Sequence, residues 1–200
     1  MSLFVPASFA SQDRERARQL IAAHPFATLI TPAAEAGGEP RVTPLPLIEV
    51  DGELEGHLAR ANPQAQWLAE RDSVAIFHGP HAYISPRWYA EPAAHVPTWN
   101  YATVQVTGRC RLLTADQARA ALRRLTAHFE QGAFEPEAAR LEALLPGIVA
   151  FRLPLDRLTA KFKMNQNRSA ADRAGVIAGL RGQRAAESQA VADWMQADVR

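Results

Sequence analysis

Two hundred residues are enough to bury a substantial core, in one large domain or a domain with an appendage. With 48% hydrophobic and 22% charged residues the composition is that of a globular protein, and a formal net charge of +1 gives no electrostatic case for nucleic acid or an anionic membrane. A single cysteine, Cys110, excludes an internal disulfide and a thiol metal cluster; its place in an alternating apolar run reads as a buried core thiol. The N-terminal residues lack the basic-then-apolar signal pattern and no apolar stretch reaches membrane-span length, so no membrane partner and a cytoplasmic location are expected.

In chain order, Ser11 is positioned to cap a helix with Ala17, Leu20, Ile21 and His24 on one face, stopped by Pro25. Ala27 to Thr31 reads as a buried strand and Ala33 to Pro40, with Gly37 and Gly38, as a loop. Val42 to Val50 is extended, but Pro44 and Pro46 forbid regular pairing on both sides, which fits an edge strand, a bulge or a backbone opened toward a ligand. Asp51-Gly52 is a hairpin signal, with Glu53 to Leu58 as the returning strand. Asn62-Pro63 predicts a helix start, carrying Trp67 and Leu68 and ending near Arg71.

Val74 to Phe77 predicts a short strand, followed by loops from His78 to Tyr89 and on to Tyr101. Tyr101 to Leu113 alternates and is the longest predicted strand. Thr114 and Gln117 form a capping-box pattern ahead of a helix that ends at Gly132. A short helix over Pro136 to Leu145, a last strand over Ile148 to Leu153 and a helix from Ser169 to Leu180 follow. Residues 183–200 read as a tail helix that docks on the body or on a partner, through Val191, Trp194 and Met195. The βαβ alternation of a parallel sheet is missing. The expected fold is therefore α+β: a small split β-barrel of about six antiparallel strands, Greek-key-like, over residues 1–180, with a tail helix over 181–200.

Residues suited to chemistry crowd the loops. His78, His81, Tyr83, Ser85, Trp88, Tyr89, Trp99, Asn100 and Tyr101 fall in one short window. They either cover a flat ring ligand or a partner subunit, or cap an open barrel end. His78 and His81 have no clustered carboxylate or cysteine with them and carry little weight as metal ligands. Nucleophile-elbow and dinucleotide glycine patterns are absent, and no catalytic residue is assigned. Arg60 and Asn62 stand between a strand end and a helix start, where an anion such as phosphate is favoured; the alternative is a solvated surface arginine and an ordinary cap, and for Asn62 the cap alone explains the residue. The segment Lys161 to Arg168 is either a solvated turn or a clamp on a polar ligand, and Arg119, Arg123 and Arg124 read as a wet helix face.

Val5-Pro-Ala-Ser-Phe9, His24-Pro-Phe-Ala-Thr-Leu29, Gly56-His-Leu-Ala-Arg-Ala-Asn-Pro63, Phe77-His-Gly-Pro-His-Ala-Tyr-Ile-Ser-Pro86, Pro97-Thr-Trp-Asn-Tyr101 and Asn165-Gln-Asn-Arg168 together resemble the PaiB family. That family is described as FMN-binding negative transcriptional regulators with the split-barrel fold of pyridoxamine-phosphate-oxidase-like flavoproteins, which are commonly homodimers. The resemblance implies that His57, Leu58, Ala59, Arg60 and Asn62 run along the ribityl-phosphate of FMN. It implies that Thr43, Pro44 and Leu45 offer backbone groups to the isoalloxazine ring. Tyr83, Ser85, Trp88, Trp99 and Asn100 would close the pocket, from the second subunit, and Lys161, Lys163, Gln166 and Asn167 would supply polar contacts. The chain departs from the family pattern at Ala160, Phe162 and Asn165, where glycine, tryptophan and serine are common.

Three functions follow from these readings. The first is an FMN-binding regulatory or sensor protein of transcription, acting without direct DNA contact because no basic recognition helix stands out. The second is a flavin-dependent oxidoreductase on a small substrate. The third is a dimeric module that binds haem or another planar ligand.

Overall fold

In the computed structural model, which describes residues 3–33, 35 and 37–197, the elements alternate strands with short helices. Positions 34 and 36 of the expected loop and 198–200 of the expected tail lie outside the described residues. The elements are β1 (Ala10–Ser11), α1 (Arg14–Ala23), β2 (Phe26–Thr31), β3 (Arg41–Pro46), β4 (Ile48–Val50), β5 (Glu53–Ala59), β6 (Asp72–Ile84), β7 (Thr98–Arg109), β8 (Arg111–Leu112), α2 (Ala115–Glu130), α3 (Ala138–Leu144), β9 (Ile148–Pro154), β10 (Arg157–Lys163), α4 (Ala170–Arg181) and α5 (Ala186–Ala197).

Several expected boundaries shift, each for a local reason. Asp13, not Ser11, caps α1: its Oδ1 accepts the Arg16 N–H at 2.9 Å, while Ser11 pairs in β1 with Ala160. After Asn62 the chain makes only a 3-10 turn, Pro63–Trp67. The predicted loop from His78 is strand as far as Ile84, because Gly79 and Pro80 are both buried inside β6 and do not break it. The expected last strand is followed by another, β10, which takes up Lys161 to Lys163 of the segment expected to be a solvated turn or a clamp on a polar ligand. Thr114 and Gln117 do form the capping box of α2, and Ser169 caps α4.

The chain packs as two compact units. The first comprises Ile21–Phe77 and Gln105–Leu158, the second His78–Val104 with the described residues of 3–20 and 159–197. In the first unit β2 pairs antiparallel with β3 on one side and β6 on the other, and a second sheet runs β4-β5-β9-β8. Leu47, fully buried, marks the point where the chain leaves β3 for β4. Asp51 and Gly52, both with positive φ (53° and 79°), make the two-residue turn into β5. Cys110 is buried here; desolvation pushes its thiol up to about 12, against a partly offsetting hydrogen bond with Ser73.

Glu55 sits at the middle of this second sheet, directly across from Arg152. It is 1% exposed, and Arg124 of α2 grips both its oxygens at 2.9 and 2.7 Å while Arg152 donates at 2.8 Å. Arg124 is thus not part of a wet face: it ties α2 to the sheet. Burial alone would raise the Glu55 pKa, but the Arg124 and Arg152 contacts outweigh it and hold the carboxyl below its usual range.

In the second unit the strand order is β1-β10-β7-β6. Helix α4 approaches the Pro86–Trp88 turn so closely that a Cβ at Gly179 would lie 2.3 Å from the Trp88 ring, and one at Gly175 2.1 Å from the Trp88 carbonyl oxygen. Helix α5 packs on α4, with Val191, Ala192 and Met195 buried. Phe162 and the Trp194 ring of α5 are 5.1 Å apart, with the Arg16 guanidinium over both. The tail helix is therefore docked within this unit.

Replacing Glu55 by Gln keeps the shape but leaves two guanidinium groups facing a neutral amide, and should cost about 2–3 kcal/mol of stability near neutral pH. A folded-state pKa held low stabilises above the unfolded value and is lost as pH falls through it, so the gap between wild type and variant should close below about pH 4. Urea titrations of both proteins at neutral and acidic pH measure it; a gap that does not depend on pH would reject the charge argument.

Candidate functional site

The expected site residues fall into two groups, one in each unit. In the first unit they gather around the open edge of β3. Alternate residues of an antiparallel strand turn both backbone groups to the same side, and proline fits only where its missing N–H faces away from the ladder. Pro44 and Pro46 share a parity and β3 ends its sheet, so both face the open edge. At positions 44 and 46 that edge has carbonyl oxygens and no N–H, with the Pro46 carbonyl packed toward Gly56, whereas Val42, of the same parity, turns its N–H to the same side. Thr43 and Leu45, of the other parity, turn their backbone groups to Leu29 and Ala27 of β2.

A chain of side-chain hydrogen bonds fixes this edge. Asn62 Nδ2 donates to Thr43 Oγ1 at 2.9 Å, and Thr43 Oγ1 donates to Gln64 Oε1 at 2.5 Å. Gln64, fully buried, donates through Nε2 to the Leu29 carbonyl at 3.1 Å and to Thr31 Oγ1 at 3.0 Å. The Thr31 and Ser73 hydroxyls are 2.8 Å apart. Asn62 Oδ1 accepts the Gln64 N–H at 2.9 Å, the expected cap. Gln64 is the residue that sequence reasoning missed, since a glutamine two places past a cap has no motif to betray it.

Beyond this network, Leu58 is buried, Ala59 is exposed and His57 is half-buried, where desolvation lowers its pKa and favours the neutral ring. Arg60 is held by two backbone carbonyls: Nε donates to Pro146 at 2.6 Å and Nη2 to Ile148 at 2.7 Å. It lines a cavity of about 430 Å³ together with Gln66, Leu112, Leu145, Ile148 and Val149 among others. Its Nη1 has no acceptor among the described residues. The anchored guanidinium is oriented and keeps both Nη1 N–H groups, with the second of Nη2, to give.

In the second unit Tyr83 and Trp99 meet edge to face at 6.3 Å, both exposed, and His81 lies 6.1 Å from Trp99. Ser85 Oγ accepts the Arg87 N–H at 3.3 Å, and Trp88 packs on α4. Asn100 is wholly buried: Nδ2 reaches Met195 Sδ at 3.4 Å, while Oδ1 has no partner among the described residues. An acceptor buried without a donor costs about 1–3 kcal/mol.

Lys161 donates to the Phe4 carbonyl at 3.1 Å and stands over the Phe4 and Tyr101 rings. Lys163 donates to Thr98 Oγ1 at 2.6 Å and to the Trp99 carbonyl; burial, then Lys161 and Arg168, lower its pKa. Gln166 closes the turn after β10, accepting from the Met164 N–H at 2.7 Å and donating to the Phe162 carbonyl; Asn167 is exposed. Asn165, one of the departures from the family pattern, adopts φ 59° and donates to the Tyr89 hydroxyl at 3.1 Å. Ala160 and Phe162, the other two, are buried.

Residues 3–157 match the family model described as "Putative FMN-binding domain". The chain is 30% identical over 205 residues, covering 97% of both chains, to Protease synthase and sporulation protein PAI 2 of Bacillus subtilis. Among solved structures it is similar to an FAD and haem binding protein from Mycobacterium smegmatis, with TM-score 0.66, 20% identity, and coverage of 82% of this chain and 78% of that one. It is likewise similar to the flavocytochrome Anf3 from Azotobacter vinelandii, with TM-score 0.65, 19% identity, and coverage of 83% and 75%. At that identity these structures speak for the fold, and the fold is the expected α+β split barrel.

The hydrogen-bond chain through Gln64 makes a testable unit. Thr43→Val and Gln64→Leu, alone and together, should show a coupling of about 0.5–3 kcal/mol in urea denaturation. Simple additivity would mean that the two side chains do not hold the edge jointly.

Proposed function

Because this chain belongs to the PaiB family of FMN-binding split-barrel domains, we propose that it is an FMN-dependent regulatory protein acting as a homodimer. FMN is the cofactor. When bound, flavin supplies one- and two-electron redox chemistry. The observation that carries the reading is the stretch of the β3 edge at Pro44 and Pro46 that has no N–H, joined through the Thr43–Asn62 hydrogen bond to the segment that carries the anchored Arg60.

The residues fit the group. A flavin ring has an N–H on its pyrimidine edge, and the Pro44 carbonyl is an acceptor with no competing N–H beside it. A phosphate needs a cation held in place, and Arg60 keeps Nη1 for it. The adjoining cavity, about 430 Å³, lies in the range of about 300–1,000 Å³ usual for small-molecule sites. Thr43, Asn62 and Gln64 hold the strand and the turn in register. Burial lowers the His57 pKa and favours its neutral ring, so His57 places no second positive charge beside Arg60.

The dimer reading is supported by the aromatic surface of the second unit: Phe4 is 79% exposed and Trp99 52%. The unpaired Asn100 Oδ1 supports a donor arriving from outside the chain, from flavin or a partner subunit. The regulatory role is supported by similarity to the Bacillus protein named for protease synthesis and sporulation. Direct DNA contact is not part of the proposal, since a net charge of +1 gives little non-specific affinity.

Purified protein should be yellow or take up FMN, with a melting temperature that rises with FMN concentration. Arg60→Ala should weaken FMN binding roughly 10- to 150-fold, the equivalent of about 1.5–3 kcal/mol, and riboflavin binding far less. Equal losses for both ligands would remove Arg60 from the phosphate. Rapid NADPH turnover by the loaded protein would replace the regulatory reading by an oxidoreductase.

Light scattering at micromolar concentration should give twice the 21.9 kDa chain mass. A monomer mass would reject the dimer.

A further inference from the structure

The second unit holds a cavity of about 370 Å³ lined by Tyr83, Ser85, Arg87, Trp88, Gln183 and Ser188. Every lining side chain can donate a hydrogen bond, one carries a permanent positive charge and none carries a negative charge. The Arg87 guanidinium, the Tyr83 hydroxyl and the Ser188 hydroxyl have no hydrogen-bond partner among the described residues. The nearby carboxylate, Glu187, does not line the cavity; it lies 3.4 Å from the His81 N–H, which donates to it, and 4.0 Å from His81 Nδ1.

We propose that this cavity binds a small acceptor-rich anion, a phosphate- or carboxylate-bearing molecule distinct from FMN, and that the α4–α5 tail defines its specificity. Donors and a cation with no acid among them leave an anion's oxygens as the complementary ligand, and a guanidinium takes phosphate or carboxylate in bidentate fashion. Two features make the site more than a patch of surface. Trp88 is locked by the close approach of Gly175 and Gly179, so the wall it forms is rigid. Gln183 is anchored as well, its amide donating to the Gly179 carbonyl at 3.4 Å and its own carbonyl accepting from Gln189 at 2.6 Å. Gln183 and Ser188 lie past residue 157, where the match to the flavin-domain model ends, so this wall is added to the domain by the tail. The resemblance assigns Tyr83, Ser85 and Trp88 to covering flavin; the cavity gives the same three residues a second set of neighbours.

The test uses the full-length, FMN-loaded protein and calorimetric titration with inorganic phosphate and, separately, citrate, at constant ionic strength. Saturable binding of one or both is expected, and which one binds names the class. Arg87→Gln should weaken that binding about tenfold or more, and Gln183→Ala with Ser188→Ala should weaken it as well. Titrations of FMN and riboflavin into the flavin-free Arg87→Gln protein are the control, expected to match wild type. No saturable binding of either anion overturns the proposal, as does binding that Arg87→Gln leaves unchanged. A loss of FMN but not riboflavin affinity in Arg87→Gln would assign the cavity to the flavin phosphate and overturn it too. Failure of the wild type to bind FMN at all would count against the flavin reading, and the anion titration on the same protein stands apart from it.

Discussion

Two N–H groups that do not exist, at Pro44 and Pro46, constrain the first unit more than any bond that does. A strand with prolines at alternate positions can be zipped on one side only, so the sheet ends at β3. It also resists pairing with a stray strand, because its open side shows acceptors and no donors at those positions. An edge that cannot be closed by backbone has to be held by side chains, and here Asn62, Thr43 and Gln64 do so, reaching through Thr31 to Ser73. The polar chain that fixes the edge is also what connects it to the turn after β5.

The overall charge of +1 conceals an uneven arrangement. In the first unit many cations meet acids, Arg124 and Arg152 on Glu55, Arg111 on Glu53, Arg157 and Arg109 on Asp72, although Arg60 and Arg71 rest on carbonyls. In the second unit several cations instead meet carbonyls and rings. Lys161 and Lys163 rest on the Phe4 and Trp99 carbonyls, and Arg173 donates to those of Met164 and Met195 at 3.0 Å each. Dipoles and π faces compensate a cation less completely than a carboxylate does, so a positive field is left for anions to use.

How much of this was legible in the sequence depended on whether the signal was local. The Asp51-Gly52 turn, the Thr114-Gln117 box and the Asn62 cap are local codes, and each was read correctly from a few residues. His78 to Ile84 was misread because Gly79 and Pro80 mark turns on average, whereas here Gly79 is chosen for space: a Cβ would meet Leu20 at 2.7 Å. Strand β10 was missed because its lysines look like surface, and only the folded chain shows their ammonium groups resting on Phe4 and Thr98. Arg124 looked solvated because its partner, Glu55, lies 69 positions away in sequence. Resemblance points to residues around β3, whereas Gln64 and the cavity-lining Gln183 and Ser188 take their places from tertiary neighbours that no short motif records.

Cys110 has a practical consequence for spectroscopy. Its thiol is buried and its pKa is pushed up to about 12, so in the native protein it exists almost wholly as the unreactive protonated form. A cysteine introduced at any exposed position then becomes the one nucleophilic sulfur that a maleimide dye or nitroxide can find. Distances across the molecule can be measured by single or paired probes without first removing the native thiol and disturbing the core that surrounds it.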